Sequence, residues 1–130
     1  MNAPGHSDTC FVCGFLGVDV TAHNGRATAE MQPDDRFTGP PGTVHGGVAA
    51  AVFDEVLGSA VVSLTGASMT AHLEIDYRRP WPLGTLGRFN AVAEWVGERK
   101  LQATAELRDA DGTLLAEGHG IWVVPRGHTG

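Results

Sequence analysis

Cysteine is nearly absent: two residues in 130, Cys10 and Cys13, three positions apart. A chain with one such pair has no disulfide framework to fold around and must rely on a buried core. Positive charge is also scarce. Nine Lys and Arg stand against fifteen Asp and Glu, for a net charge of −6. A surface of that sign repels polyanions, so nucleic acid is not an expected partner, and an anionic ligand needs a local cluster of cations. Nor is there a clean membrane span, since the most apolar stretch, 48–64, is interrupted by Asp54 and Glu55. Residues 1–9 lack the basic start and apolar centre of a secretory signal. The expectation is a cytoplasmic protein with no membrane partner. Cys10 and Cys13 have a spacing used by zinc, but a tetrahedral site needs four ligands and only His6 and His23 offer themselves. No metal and no cofactor are expected, and the two thiols read as buried or redox-sensitive groups.

What is present suits one ordinary domain. With 42 % hydrophobic residues, 130 residues bury a core without metals or cross-links. Residues 1–9 and 125–130 read as flexible tails, and 10–124 as the domain. Period-two patterning predicts strands at 16–22 and 26–31, joined by His23-Asn24-Gly25, a strong hairpin signal. Residues 33–43, with three prolines and two glycines, read as a loop. Gly46-Gly47 then opens a helix over 48–64 that is apolar nearly all round and so belongs inside, with Gly66 as its stop. Next comes an alternating strand, with Met69, Ala71, Leu73, Ile75 and Tyr77 on one face and Thr70, His72, Glu74, Asp76 and Arg78 on the other, ended by Pro80 and Pro82. Strands at 87–96, 101–108 and 113–124 follow, linked by Gly97-Glu98 and Asp109-Ala110-Asp111-Gly112. This order argues for an α+β domain in which an antiparallel sheet wraps a long central helix. Its edge strands invite a second copy.

The densest motif is Gly39-Pro40-Pro41-Gly42-Thr43-Val44-His45-Gly46-Gly47, with Asp54 nine residues after the histidine. With the strand Thr70-Ala-x-Leu-x-Ile-x-Tyr-x-Arg-Pro80, the Asp-Ala-Asp-Gly turn and the opening Cys10-x-x-Cys13-Gly14, it resembles the PaaI-like and THEM-type thioesterases of the hotdog superfamily. The resemblance runs from residue 10 to 124 and implies the hotdog fold and hydrolysis of an acyl-CoA thioester.

Elementary chemistry agrees with the roles implied. The first N–H groups of a helix have no internal partner and sit at the positive end of its dipole. The resemblance assigns the Gly46 N–H to polarise the thioester carbonyl, an oxyanion-stabilising role. Asp54 is an acid in an apolar helix, where a desolvated carboxylate makes a better base. The resemblance makes it nucleophile or general base and leaves the choice open. Glu55, one helical step away, is the less favoured acid. His45 is either a base, as in hotdog dehydratases, or the residue that fixes the loop presenting Gly46. Thr70 matches a Ser or Thr that orients the water or the carboxylate in THEM-type members, or is simply a good strand former. Five of the nine cations, Arg78, Arg79, Arg88, Arg99 and Lys100, fall between 78 and 100, and CoA phosphates suit them. The expected substrate-binding set is Gly47, Arg88, Asn90, Arg99 and Lys100. The sequence departs from many PaaI-like members at Gly39, where they carry an Asn or Gln that binds the catalytic acid or its water.

Two other functions fit the same pattern, a hotdog dehydratase or hydratase acting on 3-hydroxyacyl thioesters and a non-catalytic acyl-CoA binding module. Helix geometry adds one expectation about assembly. Gly46 and Asp54, eight residues apart, stand about 12 Å from each other along a helix. They cannot both reach one thioester carbon, so a homo-oligomer, a dimer or dimer of dimers, is expected to share its active sites between subunits.

Overall fold

The computed structural model describes residues 10–126. The expected tail at 1–9, with His6, lies outside that range, as does all but Pro125 and Arg126 of the tail at 125–130. The elements are β1 (Val20–His23), β2 (Arg26–Met31), α1 (Gly46–Thr65), β3 (Met69–Tyr77), β4 (Gly87–Trp95), β5 (Lys100–Asp109) and β6 (Leu114–Val123). A wide helical turn at Phe11–Phe15 and a short 3-10 turn at Asp35–Phe37 complete the described elements. The six strands form one sheet in the order β1-β2-β4-β5-β6-β3, every neighbouring pair antiparallel. α1 packs across it, and this is the α+β hotdog arrangement that the sequence leads one to expect.

The core explains the arrangement. Val52, Phe53, Val56, Leu57, Ala60 and Val61 line the inner side of α1 and are fully buried. Facing them from the sheet are Phe89, Leu101, Leu107 and Trp122. Burying each large apolar side chain contributes about 1.5–3 kcal/mol, enough to seat a helix whose own composition gives it no strong polar face. Phe53 meets Phe89 edge-on, with ring centroids 5.0 Å apart. Gly118 makes room for that helix on β6, where a Cβ would stand 2.6 Å from Phe53 Cδ1. By length and hydropathy α1 could cross a membrane, but here the sheet covers its inner face.

Local chemistry sets the ends. Asn24 and Gly25 both take positive φ, 50° and 81°, the geometry of a tight hairpin turn with the strands' own twist. The Gly25 N–H donates to Ser63 Oγ at 2.8 Å, tying that hairpin to the last turn of α1. Gly66, at φ 78°, ends the helix in the left-handed conformation. The Asp109 carboxylate accepts from the N–H groups of Asp111 and Thr113, both at 2.9 Å, closing the β5–β6 turn.

Two boundaries and one strand's alternation differ from expectation. The first strand begins at Val20 rather than Leu16, because Gly17 turns the chain at φ 71°. Leu16 and Val18 are buried there but outside the strand. The helix starts at Gly46, two residues early, because the His45 side chain caps it. Strict alternation along β3 is also interrupted. Thr70 pairs with Trp122 and His72 with Ile121, so Ala71 is an extra residue, a bulge. Trp122, Gly120, Gly118 and Ala116 are the inward positions of β6, and their partners on β3 are Thr70, Leu73, Ile75 and Tyr77. The bulge therefore moves Thr70 from the outer face, where alternation places it, to the helix side.

Of the three tryptophans, Trp122 and Trp81 are buried while Trp95 is 47 % exposed. The Trp81 indole donates to the Thr85 carbonyl at 3.0 Å.

Candidate active site

α1 opens on two glycines, and their neighbours hold them. The Gly47 N–H donates to His45 Nδ1 at 2.8 Å, so the histidine is the helix N-cap. The Val48 N–H turns back to the His45 carbonyl at 3.0 Å. Among the described residues the Gly46 N–H finds no acceptor and is free for a ligand. Opposite it, the Tyr77 hydroxyl donates to the Gly46 carbonyl at 2.6 Å. Burial pushes the phenol above its usual range, so the group stays protonated as a donor.

Gly39 lies directly behind this turn. Its N–H donates to the Thr43 carbonyl at 2.9 Å, and a Cβ at that position would stand 2.7 Å from His45 Cα. The loop is folded too tightly against the histidine for a side chain at 39.

Asp54 sits more than two turns along α1, half-buried rather than enclosed in the single chain. The Thr70 hydroxyl donates to its Oδ1 at 3.2 Å. The β3 bulge makes that contact possible. Glu55 points elsewhere and accepts from Cys10 Sγ at 3.5 Å. Cys10 Sγ in turn accepts from the Cys13 N–H at 3.4 Å. Burial, together with its hydrogen bond to Cys10, pushes the Cys13 thiol up to about 12. No cluster of three or more His, Cys, Asp or Glu with the geometry of a metal site occurs among the described residues.

β3 joins the two halves. Tyr77, near one end, touches Gly46; Thr70, near the other, touches Asp54. Seven residues separate them, roughly 20 Å of strand. β3 is the last strand of the sheet, and among the described residues nothing pairs with its outer edge. Tyr77 is 55 % and Met69 65 % exposed there.

A cavity of about 360 Å³ opens beside Gly46, walled by Val44, Ala49, Tyr77, Trp81, Leu107 and Leu115, with Arg78 and Arg79 at its margin. Its walls are largely apolar. Neither this cavity nor the role of Tyr77 is legible in the sequence, where Tyr77 is one more alternating strand residue.

The expected cation set is divided. Arg99 lies in the β4–β5 turn and Lys100 opens β5, where Lys100 pairs with Val123 and the Arg99 carbonyl accepts from the Val124 N–H at 2.8 Å. Val123 also pairs with Met69, so this turn is at the Thr70 end of the sheet. Arg88 and Asn90 are on the outer face of β4, away from α1. Arg88 there is ion-paired with Glu30 at 2.7 Å. Arg78 is ion-paired with Glu117 at 2.8 Å. Within one chain, the structure brings Gly46, Gly47 and His45 together, and separately Asp54 and Thr70; it does not bring Arg88 or Asn90 to either group.

Known proteins share this fold. The model of the thioesterase superfamily matches residues 41–116, which include Gly46, Asp54, Thr70 and Tyr77. The acyl-coenzyme A thioesterase THEM4 of Xenopus laevis is 36 % identical over 90 residues, covering 69 % of this chain and 40 % of that protein. The chain thus spans about two fifths of the length of the THEM4 proteins it matches. The E. coli PaaI protein superposes with a TM-score of 0.85 at 20 % identity, covering 93 % of this chain and 88 % of that one. The smu.793 protein of Streptococcus mutans, solved bound to acetyl CoA, superposes with a TM-score of 0.78 at 16 % identity, covering 83 % and 88 %.

Proposed function

The chain belongs to the thioesterase superfamily, and from that footing we propose that it hydrolyses an acyl-CoA thioester to a carboxylic acid and free CoA, each active site drawing on two copies of the chain. One observation carries the shared site. The free Gly46 N–H and the Asp54 carboxylate hang from opposite ends of β3, a strand whose outer edge is unpaired among the described residues. Antiparallel pairing of two β3 strands about a two-fold axis lays the Tyr77 end of one chain beside the Thr70 end of the other. Each Gly46 then faces the other chain's Asp54, and the dimer has two equal sites.

The chemistry follows from the groups present. The Gly46 N–H donates to the thioester carbonyl and holds the oxyanion as the carbon becomes tetrahedral, an interaction worth about 10²–10³ in rate. Asp54 acts in one of two ways. As general base it takes a proton from the water that attacks the carbonyl carbon. As nucleophile it attacks that carbon itself, forming a mixed anhydride that water then splits. In both, the C–S bond breaks and CoA leaves as its thiol or thiolate. Thr70 holds one carboxylate oxygen, leaving the other for this work. The apolar cavity beside Gly46 takes the acyl group. Arg99 and Lys100, at the Asp54 end of the sheet, meet the CoA phosphates. The likeness to a chain that binds acetyl CoA supports a CoA ligand.

The test is release of free thiol from a panel of acyl-CoAs by the wild-type protein and by Asp54→Ala. Release from several acyl chains, lost in the variant, is the expected result. An absorbance change with crotonyl-CoA and no thiol would mean a hydratase, and tight CoA binding without turnover a binding module.

A further inference from the structure

The peptide unit joining Gly46 to Gly47 is gripped at both ends. Its N–H donates to the ring of His45 at 2.8 Å, and its carbonyl accepts from Tyr77 at 2.6 Å. Glycine needs such a grip more than any other residue, because nothing in its own structure restricts φ and ψ. Without it, the first turn of α1 would fray, as helix ends do. The grip fixes that peptide plane and with it the Cα of Gly46, the pivot from which the preceding peptide unit, the one carrying the Gly46 N–H, is hung. That N–H itself has no acceptor among the described residues, and the carbonyl of its own peptide unit, that of His45, accepts from the Val48 N–H at 3.0 Å, so the unit is held from the helix side as well. The two gripping groups come from different places, His45 from the loop before the helix and Tyr77 from a strand 31 residues later. Only the second ties the turn to the sheet. Gly46 carries no Cβ, and one placed there would already touch the Tyr77 hydroxyl at 3.4 Å.

We propose that Tyr77 is a positioning residue for hydrolysis: its hydroxyl anchors the Gly46 carbonyl to β3 and so aims the Gly46 N–H at the thioester oxygen. This rests on the thioesterase reading of the site. Tyr77 touches no reacting atom in this account and acts through Gly46. Misdirecting one oxyanion donor costs less than deleting it, because the donor remains but spends time out of line.

Tyr77→Phe keeps the ring and removes only the donor. In the full chain it should lower kcat about tenfold with KM within twofold of wild type and with the melting temperature little changed. A purely structural role would instead lower the melting temperature and leave kcat per folded protein intact. Amide hydrogen exchange supplies a readout that needs no turnover: the Gly47 N–H, protected by His45, should exchange at least severalfold faster in Tyr77→Phe. Unchanged exchange overturns the anchor whatever the kinetics. Faster exchange with unchanged kcat overturns its part in catalysis. Faster exchange in a protein whose wild type releases no thiol from any acyl-CoA leaves the anchor standing and sinks the hydrolytic reading, and with it the catalytic role of Tyr77. The sequence contains a single tyrosine, so 3-fluorotyrosine incorporated biosynthetically enters position 77 alone. This replacement retains the donor, and its kcat should stay within threefold of wild type; a tenfold fall there would overturn the assignment to the hydroxyl.

Discussion

Asp54 is a carboxylate that the fold half-covers and hands one hydrogen bond, from Thr70. That is less shelter than a helix apolar nearly all round leads one to expect, and the difference is the open edge of β3 beside it. Asp54→Asn keeps the shape and the Thr70 contact while removing the carboxylate proposed as base or nucleophile. It should reduce kcat by at least about 10²-fold, with CoA binding by calorimetry within a few-fold of wild type. Glu55→Gln should be far milder, because Glu55 faces Cys10. Thr70→Ala should lower kcat by roughly tenfold, about 1.4 kcal/mol of transition-state stabilisation. Cys13 is a different case. Its thiol, pushed up to about 12 by burial and by Cys10, is almost wholly protonated at pH 8, and the thiolate is the reactive form. In the wild-type chain, alkylation of Cys13 at pH 8, assigned to that residue by fragment mass spectrometry, should run at least about tenfold slower than that of free cysteine.

At the scale of the element, turns decide more than strands do. The β1–β2 turn places Gly25 at φ 81°, with space for a Cβ limited to 3.0 Å by the Ala93 carbonyl. Gly25→Ala should therefore destabilise by about 1–2 kcal/mol, lowering the melting temperature by several degrees, with kcat unaffected. The β4–β5 turn is proposed to meet the CoA phosphates instead. Arg99→Ala with Lys100→Ala should raise KM for acyl-CoA by an amount equivalent to roughly 0.5–2 kcal/mol, with kcat nearly constant. An unchanged KM would move the phosphates elsewhere, with Arg79 at the cavity margin the next place to look. Arg88 is a poorer choice, since Glu30 already holds it.

At the scale of the whole molecule, the proposed site requires two copies to meet along β3. An Asp54→Ala chain and a Gly46→Leu chain should each form inactive homodimers. In a mixed dimer both defects fall in one site and the other site is intact, so each mixed dimer should recover about half of wild-type activity. Mass spectrometry of the mixture establishes subunit exchange. Exchange without recovery would remove the shared site and leave each chain to supply both groups.

The amino-acid order alone determined what is local. The period-two runs, the Asn24-Gly25 turn, the apolar helix and its Gly66 stop each depend on neighbours a few residues away, and each is found near its expected place. The eight-residue gap between Gly46 and Asp54 also follows from order plus helix geometry, which is why a shared site could be argued before any coordinates. What tertiary structure alone decided are contacts between distant residues, and these depend on register. One extra residue, Ala71, turns Thr70 inward to Asp54, and nothing within β3 announces it, because the register is set against β6. Tyr77 reaches Gly46 across 31 residues, and Arg88 is held by Glu30 across 58. A strand's pattern says which residues share a face. Which residues meet across the fold is settled only when the sheet has closed on the helix and every side chain has found the space left to it.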